Sequence, residues 1–306
     1  MLVSFIIDSV YFPWYNSIIG KEFMEDIKQE TNNSVETGKI TDSSISRQKH
    51  VVEMPNNGKT IDIDKDCYFG PKNKASKFFV KLCYGLASGI LFLYCKAILG
   101  IKVKGKENYK EVAKKGKGVV TVSNHVHIMD TALVAASLMP RYTQFTSIES
   151  NFAIPVAGGI LSFFGTIPLP QDTTKMRYVI AFVSKALKEG KRVHFFPEGV
   201  LLPYNNDLKE FNKGAFMLAA KTESPIVPIV FTQRKAKGLF KYLKKHRCSF
   251  NAHVLPAQYV DNALPKRDSV KELSDRVKNM MNETIEKYDE KVVTIDYSEF
   301  DTLINA

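Results

Sequence analysis

The feature that most constrains this chain is an alternation, from Val119 onward, of short β-branched runs with longer stretches of helical periodicity. VVTVS (119–123) reads as a strand, and the IMDTALVAASLM that follows it as a helix. KMRYVIAFVSKALKEG carries apolar residues at helical spacing and stops at Gly190, which suits a C-cap. RVHFFPEG is a strand interrupted at Pro197, FNKGAFMLAAKTE is another helix, and PIVPIVF is a further strand. Strands separated by helical stretches of about ten to fifteen residues specify an α/β fold with a largely parallel central sheet flanked by helices. Ser269 and Glu272 form a capping-box pair ahead of a last helix over 269–287. Its apolar face carries Val270, Leu273, Val277, Met280 and Ile285.

Upstream of the alternation lies a different kind of sequence. Between Lys81 and Lys96 run fourteen uncharged residues, LCYGLASGILFLYC, with Lys72, Lys74 and Lys77 before them and Lys102, Lys104 and Lys106 after. The run falls short of the roughly 20 apolar residues that cross a bilayer as a helix. A core helix is one reading. An interfacial segment with lysines reaching anionic headgroups fits the flanks better. The chain then divides into an N-terminal extension of unassigned role (1–70), a membrane-associating helical segment (71–104) and an α/β domain (105–306). Residues 31 to 66 are polar and aperiodic. The apolar start, MLVSFIIDSVYFPWYNSII, has neither the basic leader nor the cleavage site of a signal peptide.

Composition narrows the partners. A hydrophobic share of 44% in 306 residues supports a full core, while a net charge of +11 favours anionic partners: nucleic acid, phospholipid headgroups or acidic proteins. Cys67, Cys83, Cys95 and Cys248 are scattered, without metal or disulfide spacing, and read as reduced thiols of an intracellular protein.

The chemistry concentrates in SNHVHIMDTA, residues 123 to 132. His125 and Asp130 are five apart, about 500° of rotation on one helix, so there they would point apart. They meet only if His125 lies in the loop after the strand and Asp130 in the first helical turn. The crevice beyond the carboxyl ends of the strands is the usual ligand site of such a sheet. A histidine there, oriented by an aspartate, can take a proton from a hydroxyl near neutral pH. With no serine or cysteine nucleophile paired to it, direct attack by a substrate hydroxyl is expected. Metal is the rival reading. His125-x-His127 with an aspartate nearby is similar to the His-x-His-x-Asp-His of dinuclear metallohydrolases. Here Asp130 comes one position late, Thr131 replaces the last histidine, and three or four converging ligands are lacking.

Asn124-His125-xxxx-Asp130 and, downstream, Phe196-Pro197-Glu198-Gly199 together resemble the 1-acylglycerol-3-phosphate acyltransferase family, with its NHxxxxD and FPEGTR motifs. Gly165–Leu169 (GTIPL) resembles the family's second block, Val227–Val230 (VPIV) its fourth, and DLKEFNKGAFMLA the segment between the third and fourth. The likeness spans roughly residues 78 to 290. It implies that His125, helped by Asp130, deprotonates the hydroxyl of a lysophospholipid, which attacks the thioester of an acyl-CoA or an acyl-carrier protein. Lysophosphatidic acid is the first acceptor the resemblance suggests. Asn124, Glu198 and Gly199 fall within the motifs and are expected at the acceptor. Neither cofactor nor metal is required.

Two departures bear on the acceptor. Val200 and Leu201 stand where the family has Thr-Arg, and Pro170 and Gln171 where its second block ends in arginine. A guanidinium fork suits a phosphate dianion. Lys175, Arg177 and Lys213 are the nearest basic residues that could replace the missing arginines. Otherwise they are solvated surface charges. The same departures keep open a lipid- or nucleic-acid-binding protein that has lost activity. QRKAKGLFKYLKKHR (233–247) sets seven Lys/Arg residues around Leu239, Phe240, Tyr242 and Leu243. Without an aromatic platform it fits a second membrane contact better than nucleic acid. The expectation is therefore a membrane-associated acyltransferase at the cytoplasmic face, on anionic lipid and without a nucleic-acid partner.

Overall fold

A computed structural model describes residues 61–205, 207–238 and 248–295, all within the unit Glu53–Ala306. Most of the N-terminal extension, and the 239–247 part of the basic segment, lie outside the described residues.

Helix α1 (Lys74–Tyr94) opens with an Asn73–Ser76 capping box and continues as a wider turn to Leu99. Gly100, in the left-handed conformation, ends it, and its carbonyl accepts a hydrogen bond from the Arg234 guanidinium. Then follow β1 (Lys102–Lys104), α2 (Lys106–Lys114), β2 (Val119–Ser123), α3 (Asp130–Leu138), β3 (Gln144–Ile148), α4 (Ala157–Phe163) and β4 (Ile167–Leu169). The chain continues with α5 (Thr173–Lys188), β5 (Arg192–Phe195), α6 (Gly214–Thr222), β6 (Ile226–Lys235), β7 (Cys248–Val254) and α7 (Lys266–Tyr288).

The strands form one seven-stranded sheet in the order β1-β7-β6-β2-β5-β3-β4. β2 to β6 run parallel to one another, β7 pairs antiparallel with β6, and β1 lies parallel to β7. The expected largely parallel sheet flanked by helices is what forms. Every residue of β2 is buried, as the centre of a sheet covered on both faces requires. One face is covered by α1, α2 and α3, whose Tyr84, Tyr109, Val112 and Leu133 share a core with Val119 and Phe231. The other is covered by α5, α6 and α7, which pack Val183, Phe216 and Leu273 on Val120 and Val230.

Local signals place several boundaries where the sequence puts them. Gly190 (φ 77) follows α5 as the left-handed residue of a Schellman ending. Its N–H donates to the Leu187 carbonyl, and that of Lys191 to Ala186. Elsewhere the structure differs. α7 begins at Lys266 after Pro265, so Ser269 lies inside the helix, bonded to the Lys266 carbonyl, and Glu272 pairs with Arg276 instead of capping. Its buried face uses Met281 in place of Met280. Residues 61–69, expected to belong to the extension, pack on α5, with Ile63 buried and Phe69 set edge-on to Phe182.

The apolar segment also differs from its expected length. Helix extends beyond the fourteen uncharged residues to take in Lys74, Lys77, Lys81 and Lys96, while Lys102, Lys104 and Lys106 lie past its end. The 26-residue span Lys74–Leu99 is long and apolar enough to cross a membrane by length and composition. Its inner face (Val80, Tyr84, Ser88) packs on the domain, yet only 17% of its most apolar stretch is buried. Phe78, Leu82, Leu86, Ile90 and Leu93 face outward and are exposed. A helix apolar on both faces needs a second apolar neighbour.

Candidate active site

The parallel strands β2, β3, β4 and β5 deliver their carboxyl ends to one edge, and the motifs sit there. Directly beyond β2, Asn124 is fully buried. Its amide donates to the Phe231 carbonyl (2.9 Å) and accepts from the Phe231 N–H (2.8 Å), fastening the end of β2 to β6. Asn124, expected among the acceptor contacts, fastens the loop that carries His125.

His125 and Asp130 do meet: Nδ1 of His125 lies 2.7 Å from Oδ2 of Asp130. The same Oδ2 accepts the backbone N–H groups of Val126 (2.7 Å) and His127 (2.9 Å). Asp130 is thus the hub of the loop. It is also the first residue of α3, where the positive end of the helix dipole favours a carboxylate. Its other oxygen, Oδ1, is buried with no hydrogen-bond partner among the described residues. The His125 side chain is 22% exposed and that of Asp130 0%, so the histidine can be reached while its partner is sealed. With Nδ1 turned to the carboxylate, the neutral imidazole keeps its proton on that side and offers the lone pair of Nε2 outward. The Phe196 ring stacks on the imidazole at 4.2 Å and 19°, fixing its plane.

His127 takes a separate role. Its Nδ1 accepts the Met129 N–H (3.0 Å), and its ring packs on Tyr204 and Phe250. The two histidines therefore turn to different partners. Among the described residues no three His, Cys, Asp or Glu side chains gather as a metal site would need. Beneath them the sequence reading missed His194. It is fully buried between Thr121 Oγ1 (2.9 Å) and Ser123 Oγ (3.3 Å), edge-on to Phe196. Burial, then the proximity of His125, pushes its pKa down to about 3, so it stays neutral.

The FPEG stretch forms a tight turn, with the Gly199 N–H on the Phe196 carbonyl (3.1 Å) and Gly199 at φ 69, where a side chain would be strained. Glu198 points inward. One carboxylate oxygen accepts the His125 N–H (3.0 Å) and the other the Lys209 N–H (3.1 Å). With both oxygens on backbone and only 6% exposure, Glu198 ties the histidine loop to the segment before α6. Burial raises its pKa to about 7, against the two backbone hydrogen bonds that lower it.

The three basic candidates lie around the same edge. Lys175 stands in the first turn of α5, but its ammonium pairs with Glu149 at 3.4 Å, a carboxylate the sequence reading did not consider. Arg177 is exposed two residues on, and Lys213 is exposed at the N-cap of α6. Val200, in place of the family's threonine, is 2% exposed and part of the core, and Pro170 is buried as well.

Residues 100–232 match the family model described as Acyltransferase. Over 111 residues the chain is 39% identical to a chloroplastic 1-acyl-sn-glycerol-3-phosphate acyltransferase of Brassica napus, covering 36% of this chain and 31% of that protein. With the 1-acyl-sn-glycerol-3-phosphate acyltransferase of Saccharomyces cerevisiae it shares 29% identity over 195 residues, 62% of this chain and 61% of that one. A solved structure, the 1-acyl-sn-glycerophosphate acyltransferase of Thermotoga maritima, aligns with 69% of this chain and 82% of its own at TM-score 0.44 and 19% identity. The chain spans between 31% and 61% of the length of these two curated relatives. The matched residues hold the histidine–aspartate pair, the FPEG turn and the central strands, and over them the chain is similar to the 1-acyl-sn-glycerol-3-phosphate acyltransferases.

Proposed function

We propose that this protein transfers an acyl chain from a thioester donor, acyl-CoA or an acyl-carrier protein, to the free hydroxyl of a lysophospholipid. The acceptor named by the curated relatives is 1-acylglycerol-3-phosphate, and its product would be phosphatidic acid. The observation that carries the reading is the 2.7 Å pair of His125 with a buried aspartate at the carboxyl edge.

The steps follow from that pair. Nε2 of His125 takes the proton of the acceptor hydroxyl as its oxygen bonds to the thioester carbonyl carbon. The imidazolium that forms is stabilised by the Asp130 carboxylate, and stacking on Phe196 keeps the ring in place. The tetrahedral oxyanion collapses, the carbon–sulfur bond breaks, and the departing thiolate recovers the proton from His125. No covalent enzyme intermediate and no resident cofactor enters this sequence. Gly199, at the FPEG turn, keeps the backbone bare of a side chain where the acceptor would pass. Lys175, Arg177 and Lys213 supply the positive charge at that edge. Removing the one that holds the headgroup should raise the acceptor KM far more than the donor KM.

The outward apolar face of α1 moors the domain to the cytoplasmic face of a membrane, with Lys74, Lys77 and Lys81 directed to anionic headgroups. The reading is tested with purified protein, a labelled acyl donor and a panel of lysolipids, with and without chelator. Transfer that survives the chelator is expected. His125→Ala should lower turnover by roughly 10²–10⁴-fold, Asp130→Asn somewhat less and His127→Ala far less. Equal losses for the two histidines, with zinc found by elemental analysis, would replace this reading by a metal site. Transfer to no acceptor would leave a lipid-binding protein.

A further inference from the structure

The turn that opens α4 combines three features that the proposed chemistry does not use. Val156 lies at φ 66 and ψ −52, and the Ala157 N–H donates to the Pro155 carbonyl at 2.7 Å. This is a γ-turn of the strained, positive-φ kind, and its central residue is β-branched. The strain is held from behind. A Cβ on Gly158 would stand 1.9 Å from the Phe152 carbonyl oxygen, so the chain closes against itself there. The strained turn also presents its valine to solvent: Val156 is 78% exposed, and Ile160 and Phe163 follow at 53% and 42%. A spacing of three places Ile160 and Phe163 on one face of α4, and exposed Val156 precedes them at its N-cap.

That stripe does not end with α4. The Phe163 ring meets Phe79 of α1 edge-on at 6.4 Å, and Phe79 begins the outward row that continues through Leu86 and Ile90. Two helices far apart in sequence thus present one continuous apolar surface, bordered by the exposed Lys74, Lys77 and Lys81. An apolar face rimmed by cations, on a chain of net charge +11, matches an anionic lipid surface in both polarity and charge. The upstream end of α4 lies just past the carboxyl end of β3, on the edge that carries His125 and Glu149.

We propose that Val156, Ile160 and Phe163 form a second lipid-inserting element, which with α1 seats the catalytic edge on an anionic bilayer. A single helix leaves the domain free to roll about its axis. A second contact removes that freedom and fixes which edge faces the lipid. The inference rests on the membrane reading of α1 and adds to it.

The test uses the one native tryptophan as a blank. In the full-length Trp14→Phe protein, a reporter is introduced as Ile160→Trp, as Leu86→Trp on α1, or as Met217→Trp on the opposite face of the sheet. Each is mixed with anionic vesicles containing brominated acyl chains. Quenching at positions 160 and 86, and none at 217, is the expected result. Quenching at 86 alone overturns the second contact but keeps the first; quenching at neither overturns both. A reporter at 160 that shifts with protein concentration and ignores the vesicles would assign the stripe to self-association instead. As a second readout, Val156→Ser with Ile160→Ser should lower turnover on vesicle-embedded acceptor by roughly tenfold or more. Transfer to detergent-dispersed acceptor should stay within about twofold. Equal loss on both substrates would make the stripe structural and overturn the proposal.

Discussion

Glu198 shows how a motif residue can be legible while its role is not. The sequence places it beside the acceptor, whereas in the fold each of its oxygens receives a backbone N–H, from His125 and from Lys209. In Glu198→Gln the amide NH₂ would face one of those donors, displacing the histidine loop. The expected outcome is a fall in kcat of about 10–100-fold with little change in acceptor KM. A rise in KM at constant kcat would return Glu198 to the substrate. Its titration gives a second check. A carboxyl raised to about 7 holds its proton in the fold while the unfolded chain, near 4.5, has released it. Its contribution to stability is therefore complete below about pH 4.5 and lost as pH rises to 7. His194, held near 3, works in the opposite sense: below about pH 6.5 the unfolded chain takes up a proton that the fold refuses, so stability is lost as pH falls toward 3. Urea midpoints should show the advantage of the parent over Glu198→Gln shrinking from pH 5 to pH 7. A difference constant across that range would contradict the buried, proton-holding carboxyl. Lys175 offers a prediction of its own. Glu149→Gln frees its ammonium from the 3.4 Å pair, and should lower the KM of a phosphate-bearing acceptor if Lys175 holds that phosphate.

At the scale of elements, α1 is where pattern and packing part company. Its sequence is apolar on all sides, so periodicity cannot say which side meets the sheet. The fold turns Val80, Tyr84 and Ser88 inward and packs Leu91 and Phe92 against the core, leaving Leu82, Leu86, Ile90 and Leu93 outside. Serine at Leu82, Leu86 and Ile90 should accordingly release the protein from anionic vesicles, with circular dichroism and detergent-phase activity largely kept. A variant that stays bound, measured by co-sedimentation, would remove α1 from the interface. The short strands were the elements least visible in the sequence. β1 and β4 have three residues each, too few for any period to register. β7 is wholly buried yet carries Ser249, Asn251 and His253, and the partner of His253, Thr232 at 3.1 Å, is supplied only by the fold.

At the scale of the whole molecule, the proposed membrane contact joins the basic charge to the apolar surface. Salt should weaken vesicle binding without abolishing it, because the attraction of lysines is screened and the apolar contact is not. Complete release at high salt, measured by sedimentation, would mean that charge alone holds the protein. The sequence by itself determined the α/β alternation, the strand that ends at Ser123 and the helix that begins near Asp130, and hence the meeting of His125 with Asp130. Those features are local, set by side-chain period and by loop lengths of a few residues. Only the tertiary structure decided that Asn124 grips Phe231 across 107 residues, that Glu198 reaches back 73 to His125, and that Phe79 touches Phe163. These contacts depend on the order in which strands lie side by side. Hydrogen-bond pairing between distant segments sets that order, and no local period records it.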